Sequence, residues 1–280
     1  MPRLRYSRLE VPRKSSGDDA DAIIGLLFLH DPLGFESSGK DLVAYFREAA
    51  SARAASDRLR AAKIRHALTT DIPEGDPLEV YRARSKAFSV GRRLWIDPGD
   101  HASPAPPGER VALRIPASRA FGTGSHASTR LALEALEDET LEGRTVLDVG
   151  TGSGILALAA AALGARMAVG FDVDADAVFV ARENCARHLF GARVRLFAGP
   201  PAACSGEFDL IVANLLADEL LPESRRLLAR AGRRGRVVLS GITREREPGV
   251  LTRLRTGRWK LVGRRTDGEW SCLCLSRASI

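Results

Sequence analysis

The residues whose types and spacing point most directly to chemistry lie at 145–154, which read TVLDVGTGSG. An apolar run precedes the glycines and favours a strand buried on both faces. Gly150, Gly152 and Gly154 then let the backbone turn sharply and approach a ligand closely. Asp172 follows the next predicted strand, about 20 residues further on, which is the usual spacing of an acid that accepts hydrogen bonds from ribose hydroxyls. These residues predict a nucleoside site at the carboxyl end of a buried strand.

The glycine spacing alone leaves several interpretations open. It reads G-x-G-x-G, whereas the dinucleotide fingerprint is G-x-G-x-x-G. A dehydrogenase-type nucleotide site and an α/β core with incidental glycines are both alternatives. Asp148, two residues before the first glycine, either holds the glycine loop or binds an amino group of the ligand.

Two further stretches carry polar groups suited to a ligand. Residues 114–129, RIPASRAFGTGSHAST, are broken by glycines and a proline, and they lead into a helix that presents N–H groups and hydroxyls at its start. Thr129 would meet a carboxylate there or cap the helix. His126 is either a surface histidine or a residue near substrate. Asn214 ends a predicted strand, where its side-chain carbonyl and the next backbone carbonyl would accept from an amine; the alternative is an ordinary turn asparagine.

The elements that must position these residues alternate between strand and helix. This alternation predicts an α/β fold, a doubly wound and mainly parallel sheet, with the ligand outside the carboxyl ends of the strands. The last two strands form an antiparallel pair. The strands are predicted at 145–149, 168–171, 193–197, 208–213 and 236–240, and the helices at 128–137, 155–163, 175–188 and from 215 to about 228.

The N-terminal residues predict a separate small unit. Strands at 4–11, 34–38, 42–46 and 64–68 and helices at 18–30 and 49–62 give the order β-α-β-β-α-β of a ferredoxin-like domain. We therefore expect a domain at 1–70, a connector at 71–110 and a second domain at 111–280. The connector contains a short strand at 92–96, a helix beginning at Pro77 and a proline-rich loop.

The composition is that of an ordinary globular protein, with 45% hydrophobic and 28% charged residues. No apolar run approaches the roughly 20 residues needed to cross a membrane, and the first residues lack the apolar core of a signal peptide. The four cysteines match no zinc or redox spacing. We expect a cytoplasmic protein with free thiols, no metal site and no membrane contact.

The formal charge of +7 is unevenly distributed. Residues 222–265 hold 14 Lys and Arg against 3 Asp and Glu. Such a basic segment would lie against nucleic acid or an RNA-bound protein. The alternative is a general preference for arginine, because the chain has 37 Arg and only 5 Lys.

The combination of these stretches resembles the methyltransferases of ribosomal large-subunit protein eleven. The resemblance rests on AFGTGSHAST, TVLDVGTGSGILALAA, VGFDVDADAV with AREN, DLIVANLLADEL, VVLSGI and the terminal EW at 269–270. DPLGFES and VGRRLWIDP are the matching pieces nearer the N-terminus. The resemblance implies a seven-stranded, Rossmann-like methyltransferase sheet preceded by a ferredoxin-like recognition domain.

By this resemblance the enzyme transfers methyl groups from S-adenosyl-L-methionine to lysine amines, and to the N-terminus, of a ribosomal large-subunit protein. It is expected to act as a monomer, with ribosomal RNA near the basic segment. Asn214 is the expected catalytic residue, orienting a neutral amine towards the activated methyl. The expected cofactor-binding residues are Thr129, Gly150, Asp172, Asn214, Phe121, Gly122, Thr123, Gly152 and Asp148.

The chain departs from the family pattern at three places. The family has Asp-Pro-Gly before its AFGTG, whereas this chain has Pro116-Ala117-Ser118-Arg119; Thr151 replaces a cysteine of the family's glycine motif, and the connector is altered. These changes leave other substrates open. The alternatives are another protein's lysines, RNA, a small molecule, or a regulatory protein that binds the cofactor without turnover.

Overall fold

The computed structural model describes residues 6–12, 19–38, 41–72, 85–99, 105–116, 124–255 and 259–277. The chain divides into two compact units. The first comprises Met1–Lys86, Pro98–Ser103 and Pro116–Arg119, and the second comprises Ala87–Asp97, Pro104–Ile115 and Ala120–Ile280. The roles assigned to residues 1–70, 71–110 and 111–280 stay predictions.

The first unit is a four-stranded antiparallel sheet with two helices. Its sheet order is β2-β3-β1-β4, and its core contains Leu9, Leu27, Phe46 and Leu59. The predicted ferredoxin-like order is therefore confirmed. The elements are β1 (Tyr6–Pro12), α1 (Asp19–Phe28), β2 (Gly34–Ser38), β3 (Asp41–Phe46), α2 (Ala49–Ala61) and β4 (Ala67–Ile72).

A small three-stranded sheet opens the second unit. It consists of β5 (Phe88–Val90), β6 (Leu94–Asp97) and β7 (Val111–Arg114), with β6 in the centre. The carboxylate of Glu137 accepts hydrogen bonds from the backbone N–H groups of Arg92, Arg93 and Leu94, at 2.8, 2.9 and 3.1 Å. One buried acid thus anchors the turn between β5 and β6. The helix predicted to begin at Pro77 lies outside the described residues.

The main sheet of the second unit has seven strands in the order β10-β9-β8-β11-β12-β14-β13. The first five are parallel to one another, and β14 is antiparallel to both β12 and β13. The predicted doubly wound sheet with an antiparallel last pair is confirmed. The strands are β8 (Thr145–Val149), β9 (Met167–Asp172), β10 (Val194–Ala198), β11 (Phe208–Asn214), β12 (Ala231–Thr243), β13 (Trp259–Asp267) and β14 (Trp270–Arg277).

Helices cover both faces of this sheet. Alternate residues of each central strand point to opposite faces, so Val146 and Val212 belong to one apolar cluster while Leu147 and Ile211 belong to the other. Each fully buried side chain of this size contributes about 1.5–3 kcal/mol, which fixes the strands that carry the site. The helices are α3 (Ala127–Asp138), α4 (Ile155–Ala162), α5 (Ala175–Ala186), α6 (Ala217–Leu228) and α7 (Glu247–Arg255).

A search of the described helices finds none with the length and apolar character that a membrane span requires.

Candidate functional site

The glycine loop connects β8 to α4 at the carboxyl edge of the sheet. Gly150, Gly152 and Gly154 have φ angles of +67°, +52° and +81°, a region that side chains rarely adopt. A Cβ atom at Gly150 would also lie 2.5 Å from Cδ2 of Leu215. The N–H of Thr151 donates to the carbonyl of Phe171 at 2.9 Å, which ties the loop to β9. The loop therefore requires glycine for both its conformation and its packing.

Asp148 lies beneath this loop and is fully buried. Its Oδ2 accepts from the hydroxyl of Thr151 at 2.7 Å and from the N–H of Ala157 at 3.0 Å. Its Oδ1 has no hydrogen-bond partner among the described residues. Burial raises the pKa of Asp148 to about 7, and the charge of Asp172 adds to this rise while the two hydrogen bonds oppose it. Asp148 therefore holds the glycine loop through its Oδ2 atom.

Asp172 ends β9 beside the loop. Its Oδ2 accepts from the N–H of Gly152 at 2.9 Å, and its Oδ1 accepts from the N–H of Asp174 at 3.1 Å. Both bonds come from backbone groups, so the carboxylate is held in one orientation. A charged acceptor forms stronger hydrogen bonds than a neutral one, which suits ribose hydroxyls.

A side-chain hydrogen bond joins Asn214 to Thr129. The Nδ2 group of Asn214 donates to Oγ1 of Thr129 at 3.1 Å, and Thr129 is fully buried. Thr129 does not cap α3, since the N-cap is His126. The Oδ1 atom of Asn214 is buried and has no partner among the described residues. An acceptor in this position suits a ligand or substrate N–H.

Sequence reasoning missed the residues that fix Asn214. The N–H of Leu215 donates to the carbonyl of Ser240 at 3.1 Å. A Cβ atom at Gly241, whose φ is +78°, would lie 2.6 Å from the Leu215 carbonyl oxygen. Leu215 is thus confined between Gly150 and Gly241. We expected the backbone carbonyl next to the Asn214 side chain to accept from a substrate amine. The Leu215 carbonyl lies against Gly241. The sequence does carry a signal of this confinement, because Gly241 directly follows the predicted strand residues VVLS.

His126 is built into the start of α3. Its Nδ1 lies 2.8 Å from Oγ of Ser128 and accepts from the Ser128 N–H at 3.3 Å. Its ring contacts the ring of Trp270 edge-on, with centroids 4.9 Å apart. Burial lowers the pKa of His126 to about 4, the positive charge of Arg130 lowers it further, and Asp267 opposes the change. At neutral pH the imidazole is therefore an uncharged helix cap.

Phe121, Gly122 and Thr123 lie outside the described residues, and their cofactor role stays a prediction. The described chain resumes at Gly124, whose φ is +85°. A Cβ atom there would approach side chains of Ile155 and Ile96 at 3.0 Å. The segment that leads into α3 is therefore closely packed where it is described.

The site as a whole is rich in acceptors. Asp148, Asp172 and Asn214 lie at the carboxyl ends of β8, β9 and β11, which are adjacent or next-but-one strands. Two of these residues keep an acceptor oxygen without a partner among the described residues. The arrangement therefore fits a ligand that carries N–H and O–H donors, at the edge where doubly wound sheets bind ligands.

The strand order, the antiparallel seventh strand and the glycine loop after β8 define the fold of the class I S-adenosylmethionine-dependent methyltransferases. The family model described as ribosomal protein L11 methyltransferase (PrmA) matches residues 31–278. This chain belongs to that family.

Individual relatives agree with this assignment. The ribosomal protein L11 methyltransferase of Geobacter sulfurreducens is 47% identical over 184 residues, which is 66% of this chain and 60% of that protein. The one from Ralstonia pickettii is 34% identical over 248 residues, 87% of this chain and 81% of that protein. The crystal structure of a ribosomal protein L11 methylase from Lactobacillus delbrueckii subsp. bulgaricus superposes with a TM-score of 0.63 at 32% identity, covering 70% of this chain and 100% of that chain. The chain thus spans 60% of the length of the Geobacter sulfurreducens relative that it matches.

Proposed function

We propose that the protein is an enzyme that transfers methyl groups from S-adenosyl-L-methionine to amino groups of ribosomal protein L11. The acceptors are lysine side chains and the N-terminal amine. The relatives named as ribosomal protein L11 methyltransferases support this substrate. The observation that carries the proposal is the buried Oδ1 of Asn214, held at the end of β11 by Thr129 and without a partner among the described residues.

The acceptor groups fit the proposed cofactor. Oδ1 of Asp148 would accept from its amino group, the carboxylate of Asp172 from its ribose hydroxyls, and Gly150 leaves room for its methionine part. When bound, the cofactor supplies a methyl group already activated by a sulfonium. The protein therefore needs to position an acceptor and to exclude water, and positioning alone contributes several kcal/mol to a barrier.

The acceptor amine must lose its proton before it attacks. A lysine ammonium with a pKa near 10.4 pays roughly 4–5 kcal/mol to become neutral at pH 7. A water-excluded cleft reduces this cost because it disfavours the charged form. Asn214 Oδ1 accepts a hydrogen bond from one N–H of the neutral amine. This bond directs the lone pair of the amine nitrogen towards the methyl group. The amide takes up no proton, so the proton leaves to solvent.

The first unit is proposed to recognise the protein substrate. Deleting residues 1–70 would then abolish methylation of ribosomal protein L11 and leave cofactor binding intact. We further propose a monomer that works in the cytoplasm.

The decisive experiment incubates the purified chain with S-adenosyl-L-methionine and purified ribosomal protein L11, followed by intact-mass analysis. We expect the substrate mass to rise by whole numbers of methylene units, and Asn214→Ala to lose most of the turnover while calorimetry shows retained binding of the demethylated cofactor. An unmodified substrate would contradict the proposed substrate. Absence of cofactor binding would contradict the proposed reaction.

Another substrate is the alternative at the same site. The altered segment Pro116-Ala117-Ser118-Arg119, of which residues 117–119 lie outside the described part of the chain, motivates it. Labelled cofactor added to a cell lysate would mark L11 under our proposal, and a different protein or an RNA under this alternative.

A further inference from the structure

A cavity lies within the second unit, away from the glycine loop. It has a volume of about 440 Å³ and is bounded by α6, α7, β13 and β14. Arg225, Arg253 and Arg277 line it, over a floor that includes Leu228 and Trp259. We call it the arginine groove. No carboxylate occurs among its lining residues within the described part of the chain.

The groove lies at the opposite edge of the sheet from Asn214. The Arg277 guanidinium donates to the carbonyls of Ala231 and Gly232, at 3.0 and 3.3 Å. Ala231 is paired with Phe208, the first residue of β11, whereas Asn214 is the last. A ligand in the groove would therefore leave the methyl-transfer site open.

Arg277 is held in place before any ligand binds. Besides its two carbonyl bonds, its guanidinium carbon lies 5.9 Å from the ring centroid of Trp259, within cation–π range. A guanidinium fixed in this way loses little side-chain entropy when it binds an anion.

Two arginines of the groove differ in their ion pairing from other arginines of the second unit. Arg226, Arg236 and Arg264 each form an ion pair with a glutamate. In contrast, neither Arg225 nor Arg277 has an ion pair among the described residues. Glu207 lies close by, with its Oε2 3.7 Å from the position of a Cβ at Gly232, yet no ion pair joins it to an arginine within the described residues. A general preference for arginine does not by itself explain why these arginines lack ion pairs.

The positive charge also continues beyond the cavity. Arg233 and Arg234 follow Gly232 and are exposed at the beginning of β12. No ion pair to either is found within the described residues. The guanidinium groups without an ion pair among the described residues, on Arg225, Arg233, Arg234 and Arg277, fit a ligand with repeated negative charges better than a single anion. The planar guanidinium fork also matches the oxygens of phosphate.

We propose that the arginine groove, extended by Arg233 and Arg234, binds the phosphodiester backbone of RNA. The choice of RNA over another polyanion rests on the proposed ribosomal substrate, which is found with RNA. Binding is independent of base sequence, because Trp259 is only 6% exposed and covered by Arg277, which leaves no ring face for a base. The groove thus holds the enzyme near ribosomal RNA while the other edge of the sheet methylates protein.

The test measures fluorescence anisotropy of a labelled oligouridine of about 16 nucleotides over a range of salt concentrations. The variant is Arg225→Ala with Arg234→Ala, both exposed residues. The matched control is Arg93→Ala with Arg187→Ala, which removes two exposed arginines of the second unit outside the groove. We expect the groove variant to bind at least about 10-fold more weakly and its log–log salt slope to fall by about 1.4, the value for two lost phosphate contacts on a single strand.

Three results would overturn the proposal. They are no saturable RNA binding at low salt, an equal loss in the control variant, and polyglutamate binding as tightly as RNA at the same ionic strength, which would indicate an acidic protein instead. Methylation of free L11 by the groove variant should equal that of the control. If the wild-type chain binds RNA through the groove but methylates nothing, the proposed function fails and the groove assignment stands.

Discussion

The side-chain amide of Asn214 and the hydroxyl of Thr129 are 3.1 Å apart although 85 positions separate them in the sequence. The bond links the end of β11 to the first turn of α3, so each element fixes the functional group of the other. It also orients the amide, because the bond from Nδ2 to Thr129 leaves Oδ1 buried and without a partner among the described residues.

Thr129→Val is expected to lower turnover about 10- to 100-fold, since a buried Nδ2 left without a partner costs roughly 1–3 kcal/mol and the amide loses its fixed orientation. Steady-state methylation assays measure the change. Thr129→Ser keeps the hydroxyl and should retain most activity. Equal rates for the valine variant and the wild type would show that Thr129 does not position Asn214.

Gly241→Ala is expected to disturb Leu215 and, through it, Asn214. The new Cβ would lie 2.6 Å from the Leu215 carbonyl, and the φ of +78° costs about 1–2 kcal/mol for a residue with a side chain. Urea denaturation should show a loss of about 2 kcal/mol or more, with reduced turnover at temperatures where the variant is folded. Gly249→Ala is the control, because no atom lies within 4 Å of the added Cβ. Similar behaviour of both variants would rule out the confinement of Leu215 as a positioning device.

Asp172→Asn is expected to weaken binding of the demethylated cofactor by about 10-fold or more, because hydrogen bonds to a charged group contribute about 1.5–3 kcal/mol. Asparagine also cannot accept from both Gly152 and Asp174 with the geometry of the carboxylate. Calorimetry gives the affinity. Asp174→Asn, which removes the same charge and keeps an N-cap acceptor for α5, should bind normally. Unchanged affinity in Asp172→Asn would remove Asp172 from the ribose site.

Asp148→Asn is expected to make the folded state less sensitive to alkaline pH. The folded pKa of Asp148 is raised to about 7, so between its ordinary pKa and pH 7 the folded state binds more protons than the unfolded state. Stability then falls as pH rises through this window. The asparagine oxygen can accept both bonds that Oδ2 now accepts, and it does not titrate. The unfolding free energy of the variant, relative to wild type, should rise by about 2–3 kcal/mol between pH 5 and pH 8.

Denaturant titrations at both pH values measure this difference. A constant difference would mean that Asp148 is charged in the folded state throughout. Cofactor affinity provides a second measurement, since the variant places an N–H donor where Oδ1 would accept from the cofactor. We expect weaker binding than wild type at pH 8 and a smaller difference at pH 5, where the wild-type carboxyl is itself protonated.

The sheet was predictable from sequence because its central strands are continuous apolar runs such as 145–149 and 208–213, and because helices alternate with them. Helix α7 was not predicted, since Pro248 and Gly249 near its start are typical of turns. Strands β5 and β7 are only three and four residues long and too short to show a pattern.

The site was predictable only in part. Gly150 follows β8, and Asp172 and Asn214 end β9 and β11, so their place at one edge follows from topology. The confinement of Leu215 depends on three strand ends meeting in space, which no local pattern records. The orientation of the Asn214 amide depends on Thr129 in the same way.

The two buried acceptor oxygens, on Asp148 and Asn214, lack protein donors among the described residues. A ligand that supplies those donors relieves a penalty that the ligand-free fold carries. The melting temperature should therefore rise more with a nucleoside that carries the amino group proposed to meet Asp148 than with an analogue of equal size that lacks this amino group. The difference in melting temperature between the two nucleosides then reports the contact to Asp148, whereas the oxygen of Asn214 is left for the amine of the protein substrate.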